Sequence, residues 1–346
     1  MTSTDFGRLQ DGTLIDVYTL EEAPIRVRIM NYGAHLLSIE TPDRAGRSAD
    51  IVLGHDHLEP YAKPPRAHFG GVIGRYANRI AKGAFSLRGR QYLLSQNEGE
   101  TTLHGGKIGF DQRVWQARAV ANGVEFSMTS PHGDQGFPGT MTVRVRYTLT
   151  RQALTLDYFA ACDQDTVVNL TNHCYFNLAG EGQGDILGHR LTLHADRFTP
   201  ADAAQIPTGE IVSVEGTPFD FRQETAIGAR IAENHEELLI AGGYDENFVL
   251  PEAGGALREA ARVTEPGSGR VMTVSTTEPA IQLYTGNHLD KAQPGKNGHI
   301  YRRHTGLCLE TQHYPDSPNH PSFPSTILPA GQEFRSQTVF AFSLAR

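Results

Sequence analysis

Residues Val143–Leu149 read VRVRYTL, and this strict alternation of apolar and polar side chains decides the fold class. Successive side chains of a β-strand point to opposite faces, so the run predicts a strand with one buried face. A second run of this kind, Ala153–Phe159, begins after only Arg151 and Gln152, which predicts a β-hairpin. The two runs together indicate an antiparallel sheet.

Runs with strand character recur along the chain, and clusters of Gly, Pro, Asn and Asp separate them. Many short strands at such spacing are typical of a β-sandwich or a barrel. The 36 glycines and 19 prolines among 346 residues also favour short elements. The further predicted strands are Ile25–Met30, Gln91–Leu94, Val124–Met128, Leu191–Leu193, Val271–Val274, Ile281–Tyr284 and Val339–Phe342.

One stretch alone predicts a helix of ordinary length, and no stretch indicates a boundary between domains. Ile227, Ile231 and Leu238 would share one face of a helix over Ile227–Ile240. Glu252–Gly269 is rich in Gly, Ala and charge, and we expect it to form a long hairpin connection. The sequence therefore predicts an all-β fold with few short helices, in a single domain over residues 1–346.

Composition and charge exclude several classes of protein. A hydrophobic fraction of 39% excludes a disordered chain. The net charge of −8 makes nucleic acid or an anionic membrane an unfavourable partner. No apolar run approaches the roughly 18 residues of a transmembrane helix, and Met1–Gly12 lacks a signal-peptide pattern. We therefore expect a cytoplasmic protein with Cys162, Cys174 and Cys308 reduced and buried.

Sequence motifs for common cofactors and metals are absent. The chain contains no phosphate-binding P-loop, no nucleophile elbow and no dinucleotide fingerprint after a strand. The run that begins at His235 starts like a zinc motif, but Leu239 stands where the second histidine is needed. The 15 histidines show no paired spacing with cysteines or carboxylates, so we expect no metal site.

Six clusters combine polar and aromatic residues in a way that is unusual for ordinary surface. Together they offer imidazole, carboxylate and guanidinium groups, which suit a neutral ligand with many hydroxyl groups. The clusters are Gly74–Ile80, Thr102–Gly106, Asn169–Leu178, Gly243–Phe248, Ile281–Asn287 and Leu309–Pro321.

Two residues in these clusters are candidates for acid–base chemistry. His173 lies between Asn172 and apolar residues, and a buried polar group must be hydrogen-bonded or used. Glu310 follows an apolar run, and a buried carboxyl group has a raised pKa that suits proton transfer. Each also has a structural explanation: His173 could bond a backbone group, and Glu310 could pair with Arg302 or Arg303.

At these six clusters the sequence resembles the aldose 1-epimerase (galactose mutarotase) family. The most specific matches are Thr171–Leu178, TNHCYFNL, and the stretch Leu309–Ser325. Gly74–Ile80 and Leu103–Gly106 add independent matches in the same order. The resemblance implies a large antiparallel β-sandwich of the galactose-mutarotase type, with an active site on a concave face. It also implies that the protein interconverts the α and β anomers of free aldohexoses.

The resemblance assigns roles to individual residues. It implies that His173 and Glu310 are catalytic. Because ring opening of a hemiacetal needs a base at the C1 hydroxyl and an acid at the ring oxygen, our hypothesis is that Glu310 is the base and His173 the acid. The resemblance also implies that the sugar is held by Asn78, Arg79, His104, Asp245 and Gln282. The chain departs from the family at Glu246, where other members often carry histidine, and this could alter the charge of the cleft and its sugar preference.

We expect a monosaccharide as the ligand and no metal or organic cofactor, because the reaction is proton transfer alone. The sequence leaves open whether the protein is a monomer or a homodimer. Three alternatives stay open: a sugar-binding protein without catalysis, a glycoside hydrolase that uses Asp245 and Glu310, and an epimerase of a phosphorylated hexose. The last would need basic residues in the cleft, and Arg75, Lys107 and Arg113 are the candidates.

Overall fold

The computed structural model describes residues 1–251 and 255–345, and strands dominate both ranges. In chain order the strands are β1 (Thr2–Arg8), β2 (Leu14–Glu22), β3 (Ile25–Met30), β4 (Leu36–Pro42), β5 (Ser48–Asp50), β6 (Val72–Ile73), β7 (Arg79–Ile80), β8 (Ala84–Leu87), β9 (Arg90–Leu93), β10 (Thr102–Leu103), β11 (Gln116–Val120), β12 (Gly123–Ser130), β13 (Met141–Leu149), β14 (Ala153–Cys162), β15 (Thr166–Val167), β16 (Thr171–Asn172), β17 (Arg190–Leu193), β18 (Arg197–Thr199), β19 (Val212–Ser213), β20 (Thr225–Ala226), β21 (Asp245–Val249), β22 (Arg258–Thr264), β23 (Arg270–Thr276), β24 (Ala280–Tyr284), β25 (Cys308–Gln312), β26 (Ile327–Leu328) and β27 (Glu333–Leu344).

Helical segments are short. The α-helices in the described ranges are α1 (Glu59–Ala62) and α2 (Glu236–Ala241). The 3₁₀ helices there are Ala81–Gly83, Phe110–Gln112, Asp134–Gly136, Ile227–Ala229, Leu289–Lys291, Lys296–Gly298 and Ser317–Asn319. None of the described helices is both long enough and apolar enough to cross a membrane.

Three large antiparallel sheets form the body of the fold. The widest has nine strands in the order β11-β12-β13-β14-β27-β23-β22-β17-β20. One five-stranded sheet runs β1-β2-β3-β4-β5, and the other runs β19-β18-β21-β24-β25. The predicted hairpin forms as β13 and β14, whose register places Leu149 opposite Leu154. The expectation of a large antiparallel β-sandwich is confirmed.

The main hydrophobic core joins the inner faces of these sheets. One apolar cluster contains Val145 and Phe340 from the nine-stranded sheet, Val27 from the first five-stranded sheet, and Leu283 and Leu309 from the second. Burial of this apolar surface is the principal force that holds the layers together. The outer face of β24 and β25 is left free of this core, and it carries the polar residues described below.

Every strand predicted from the alternation is present, either to within one residue or as part of a longer strand. The three cysteines are buried and unpaired, as expected. Strand β13 shows why the strand predictions are confirmed: Val143, Val145 and Tyr147 are buried, whereas the intervening Arg144 and Arg146 are not.

The predicted helix over Ile227–Ile240 is wrong. A 3₁₀ turn covers Ile227–Ala229, and α2 begins only at Glu236. The N–H groups of Ile227 and Gly228 donate to the carbonyl oxygens of His189 and Leu187, so these backbone groups are committed to another segment. Ile227 and Leu238 are both buried, as the pattern required, but from two separate elements.

The predicted connection over Glu252–Gly269 is only partly a connection. Residues 252–254 lie outside the described residues, whereas Arg258–Thr264 forms β22 and pairs with β23. A bulge between Glu259 and Ala261 shifts the register, which obscures the alternation in the sequence. Because Ala260 and Ala261 are both fully buried, small side chains here mark close packing.

Candidate active site

The second five-stranded sheet separates polar residues from apolar ones. In its register Asn247 of β21 lies opposite Gln282 of β24, and Gln282 lies opposite Glu310 of β25. Paired residues share a face of the sheet. The polar face therefore carries Asp245, Asn247, Gln282, Tyr284 and Glu310, while Phe248, Ile281, Leu283 and Leu309 belong to the core cluster.

His173 lies against Glu310 on the polar face. It follows β16, and backbone hydrogen bonds with Gly70 and Gly71 hold it in place. His173 Nε2 lies 3.6 Å from Glu310 Oε1, and Nδ1 lies 3.5 Å from Cys308 Sγ. His173 and Glu310 are 137 positions apart in the chain, so only the fold brings this imidazole and this carboxyl group together.

Both groups are buried, and burial favours the neutral form of each. Burial raises the pKa of Glu310 well above its ordinary value, and the charge of Asp245 raises it further. Burial lowers the pKa of His173 to about 3, with a further contribution from the charge of His68. Glu310 Oε2 is buried without a hydrogen-bond partner among the described residues. Glu310 pairs with neither Arg302 nor Arg303, and its ion-pair partner is instead His173.

Asn78, Arg79 and His104 are brought together by the pairing of β7 with β10. Leu103 lies opposite Arg79, and His104 N donates to Asn78 O. Asn78 and His104 both have positive φ, at 62° and 52°, so the backbone turns sharply at each of them. Gly105 is required beside them, because a Cβ there would lie 2.0 Å from Gly74 O.

A chain of hydrogen bonds connects Arg79 to Asp245. Arg79 forms a two-pronged ion pair with Glu98, at 2.7 and 3.0 Å, and its Nη2 also donates to Gln205 Oε1 at 2.8 Å. Gln205 Nε2 donates to Asp245 Oδ2 at 3.1 Å, and Gln282 Nε2 donates to Asp245 Oδ1 at 2.8 Å. These contacts fix the side chains before a ligand arrives, which favours precise recognition of hydroxyl groups.

These residues line a cleft of about 350 Å³, which is within the range of roughly 300–1,000 Å³ for small-molecule sites. Six of the seven predicted site residues contribute to its wall, and they are Asn78, Arg79, His104, His173, Asp245 and Glu310. Gln282 lies behind Asp245, where its Oε1 is buried without a partner among the described residues.

The cleft also contains residues that the sequence did not single out as ligand contacts. Tyr175 stacks on His173 with ring centroids 5.0 Å apart, and Tyr284 meets His173 at 6.3 Å in an edge-on arrangement. Both tyrosines lie in the clusters identified above, so their aromatic character was the available signal. Glu98, Gln205 and His68 come from connecting segments with no pattern that could have marked them.

The residues invoked for a phosphorylated substrate lie elsewhere. Arg75 is buried and donates to the carbonyl oxygens of Pro138, Gly139 and Ser130. Arg113 pairs with Asp134, and neither arginine belongs to the wall of the cleft. Lys107 is exposed and is likewise absent from that wall.

Glu246 also lies outside the cleft. It is on the core face of β21, 3% exposed, and its Oε2 accepts a hydrogen bond from Asp245 N at 2.7 Å. Burial raises its pKa well above the ordinary value, and the charge of Asp245 adds to that effect. The expectation that Glu246 alters the charge of the cleft therefore has no support in its position.

One group of side chains has the spacing of a metal site. The donor atoms of His104, His173 and Glu310 lie within 4.8 Å of one another. However, His104 Nδ1 accepts a hydrogen bond from Asn78 N at 3.2 Å, so the proton of the neutral ring is on Nε2. A nitrogen that carries a proton cannot bind a cation, so this set suits a hydroxyl group better than a metal ion.

Comparison with known proteins identifies the relatives of this chain. The sequence model described as aldose 1-epimerase matches residues 16–341. Galactose mutarotase from Bos taurus is 46% identical over 346 residues, which cover 100% of this chain and 99% of that protein. Aldose 1-epimerase from Escherichia coli (strain K12) is 38% identical over 337 residues, 96% of each chain.

Solved structures agree with this result. An aldose epimerase homologue from C. elegans superimposes with a TM-score of 0.86 and 31% identity, covering 95% of this chain and 100% of that one. Galactose 1-epimerase from Lactobacillus acidophilus NCFM also gives a TM-score of 0.86, at 26% identity, with 100% and 99% coverage. The match in sequence spans nearly the whole chain, and this protein therefore belongs to the aldose 1-epimerase family.

Proposed function

We propose that this protein interconverts the α and β anomers of free aldohexoses such as galactose and glucose. The observation that carries the proposal is the approach of His173 to Glu310 at the cleft, with Glu310 Oε2 left without a partner in the described chain. Relatives at 43–46% identity are named galactose mutarotase, which supports the same reaction here.

The chemistry requires two proton transfers on opposite sides of one bond. A cyclic aldose is a hemiacetal, so inversion at C1 requires the C1–O5 bond to break and form again on the other carbonyl face. A base removes the proton of the C1 hydroxyl group while an acid delivers a proton to O5. After rotation about C1–C2 the two groups exchange roles, and the ring closes as the other anomer.

We assign the base to Glu310 and the acid to His173. The two groups share one proton, either as carboxylate and imidazolium (the ionised pair) or as carboxylic acid and neutral imidazole (the neutral pair). Burial raises the pKa of Glu310 and lowers that of His173, so it favours the neutral pair. The neutral pair is also the state left after ring opening. Hydrogen bonds from the sugar to Glu310 would stabilise the carboxylate that begins the reaction, so the pair is poised to transfer protons in either direction.

The remaining predicted residues hold the sugar. His104 presents Nε2–H as a donor, because its Nδ1 already accepts from Asn78 N. Arg79 offers a guanidinium and Asp245 offers carboxylate oxygens, and the connection through Gln205 keeps them apart. Donors and acceptors at fixed positions match hydroxyl groups, which both donate and accept. Correct placement of the ring against the catalytic pair lowers the entropic part of the barrier.

We also propose that residues 1–346 form one domain, since a single apolar cluster extends from Leu20 to Phe340.

The positions of individual residues bear on the alternative functions. The basic residues that the sequence offered for a phosphorylated substrate, Arg75, Lys107 and Arg113, are absent from the cleft wall, whose cations are Arg66, Arg79 and Lys291. A protein that only binds sugar would need neither His173 nor Glu310 as a proton donor and acceptor.

The test is polarimetry on freshly dissolved α-D-galactose and α-D-glucose. We expect wild-type protein to accelerate the change in optical rotation, and we expect Glu310→Gln to lose about 10²–10⁴-fold in kcat. Glu246→Gln is the matched control, because it makes the same change in a buried carboxyl group on the other face of the sheet. Near-normal turnover by Glu310→Gln would refute the assignment of the base, and no acceleration by wild type would refute the proposed reaction.

A further inference from the structure

A third histidine, His68, faces the same space as His104 and His173. Its ring stacks on that of His173 with centroids 5.8 Å apart, and it meets the ring of His104 edge-on at 5.0 Å. The side chain is 23% exposed and forms part of the cleft wall. Neither the family motifs nor the polar clusters of the sequence contain it, since it lies in the segment before β6.

Asp111 fixes the orientation of this ring. Asp111 Oδ2 lies 2.8 Å from His68 Nδ1, and the carboxyl group is 2% exposed. Burial alone would raise the pKa of Asp111, but the charge and hydrogen bond of His68, together with the charges of His35 and Arg66, hold it below the ordinary value. An ionised carboxylate only accepts hydrogen bonds, so the proton lies on His68 Nδ1.

This arrangement leaves the other ring nitrogen to the cleft. His68 Nε2 has no hydrogen-bond partner within the described residues, and unlike the unpaired polar atoms of the interior it is not buried. It is therefore open to the cleft. Nε2 accepts a hydrogen bond when the ring is neutral and donates one when the ring carries the charge that lowers the pKa of Asp111, whereas His104 presents Nε2–H. The two imidazoles thus offer two polar ring nitrogens side by side to a ligand.

We infer that His68 contacts the sugar and helps determine specificity: its Nε2 forms a hydrogen bond with one hydroxyl group of the aldose, and Asp111 is its positioning residue. The inference rests on the proposed function, because it names a further contact in the same site. A single hydroxyl group both donates and accepts, so one hydroxyl can serve His68 and His104 together.

The test compares His68→Phe with wild type on galactose and on its 2-, 3-, 4- and 6-deoxy derivatives. Phenylalanine keeps the ring and removes both nitrogens. We expect kcat/KM for galactose to fall about 3- to 10-fold, the value of one neutral hydrogen bond. For one deoxy sugar the substitution should change nothing, because the partner hydroxyl is already missing, and that sugar identifies the hydroxyl.

Two further variants separate contact from structure. His68→Gln should recover part of the loss, since its amide group both accepts and donates hydrogen bonds. Asp111→Asn should lower kcat/KM in the same direction, and in a His68→Phe background it should add no further discrimination between sugars. His194→Phe is the control, because His194 is an exposed residue outside the cleft.

An equal loss on every sugar, or no loss, in folded His68→Phe overturns the inference. If Asp111→Asn does not fold, the His68→Phe series decides alone. Failure of wild-type protein to accelerate the reaction of any aldose contradicts the proposed function instead, so the two failures are distinguishable.

Discussion

The sheet formed by β19, β18, β21, β24 and β25 carries one buried glutamate on each face, and the two carboxyl groups have different surroundings. Glu310 on the polar face and Glu246 on the core face are 2% and 3% exposed, and burial raises the pKa of both well above the ordinary value. Glu246 Oε2 accepts a hydrogen bond from the backbone N–H of Asp245. Glu310 Oε2 has no such partner in the described chain, and the residue forms part of the cleft wall.

This difference teaches that a shifted pKa does not identify a catalytic group by itself. Burial alone produces such a shift wherever a carboxyl group leaves water. What distinguishes Glu310 is its access to a cavity, an unsatisfied oxygen and an imidazole 3.6 Å away. The following substitutions test whether function follows the face of the sheet rather than burial.

The largest effect is expected from His173→Asn. The substitution removes the group assigned to protonate O5, so kcat should fall by about 10²–10⁴-fold while KM changes little. Polarimetry over a range of galactose concentrations measures the two constants, and circular dichroism establishes that the variant is folded. A change in KM alone would transfer His173 from catalysis to binding.

A smaller effect is expected from Asp245→Asn on the polar face. Asn keeps the size of the side chain but removes the negative charge of the carboxylate, whose two oxygens accept hydrogen bonds from Gln205 and Gln282. A hydrogen bond to a charged group contributes about 1.5–3 kcal/mol, so kcat/KM should fall about 10- to 150-fold. Unchanged kcat/KM would exclude Asp245 from holding the sugar. Glu246→Gln, at the next position but on the core face, should keep kcat/KM.

The sequence predicts the framework of this site better than its details. Alternation locates the strands because burial of one face is a local property of β13 or β24. His173 and Glu310 stand out because polar groups in apolar runs are costly unless they are used. Glu98, Gln205 and His68 reach the cleft from connecting segments, and only the folded chain places them there.

The smallest effect concerns stability, and it is expected from Glu246→Gln. The raised pKa of Glu246 means that the folded protein keeps this proton to a higher pH than the unfolded chain does. Between the ordinary value of 4.5 and the raised one, the free energy of unfolding therefore decreases as pH increases. Gln is neutral at every pH and its amide oxygen can still accept from Asp245 N, so the variant avoids this loss.

Thermal melting from pH 4 to pH 9 measures the effect. The melting temperature of Glu246→Gln should match that of wild type near pH 4 and exceed it by about 1–3 °C at pH 9. Glu100→Gln, at an exposed position, is the control for a change of charge alone. An equal difference at every pH would mean that the substitution acts through packing. A decrease at pH 9 would mean that the ionised carboxylate of Glu246 is stabilised in the core, which would remove the contrast between the two faces.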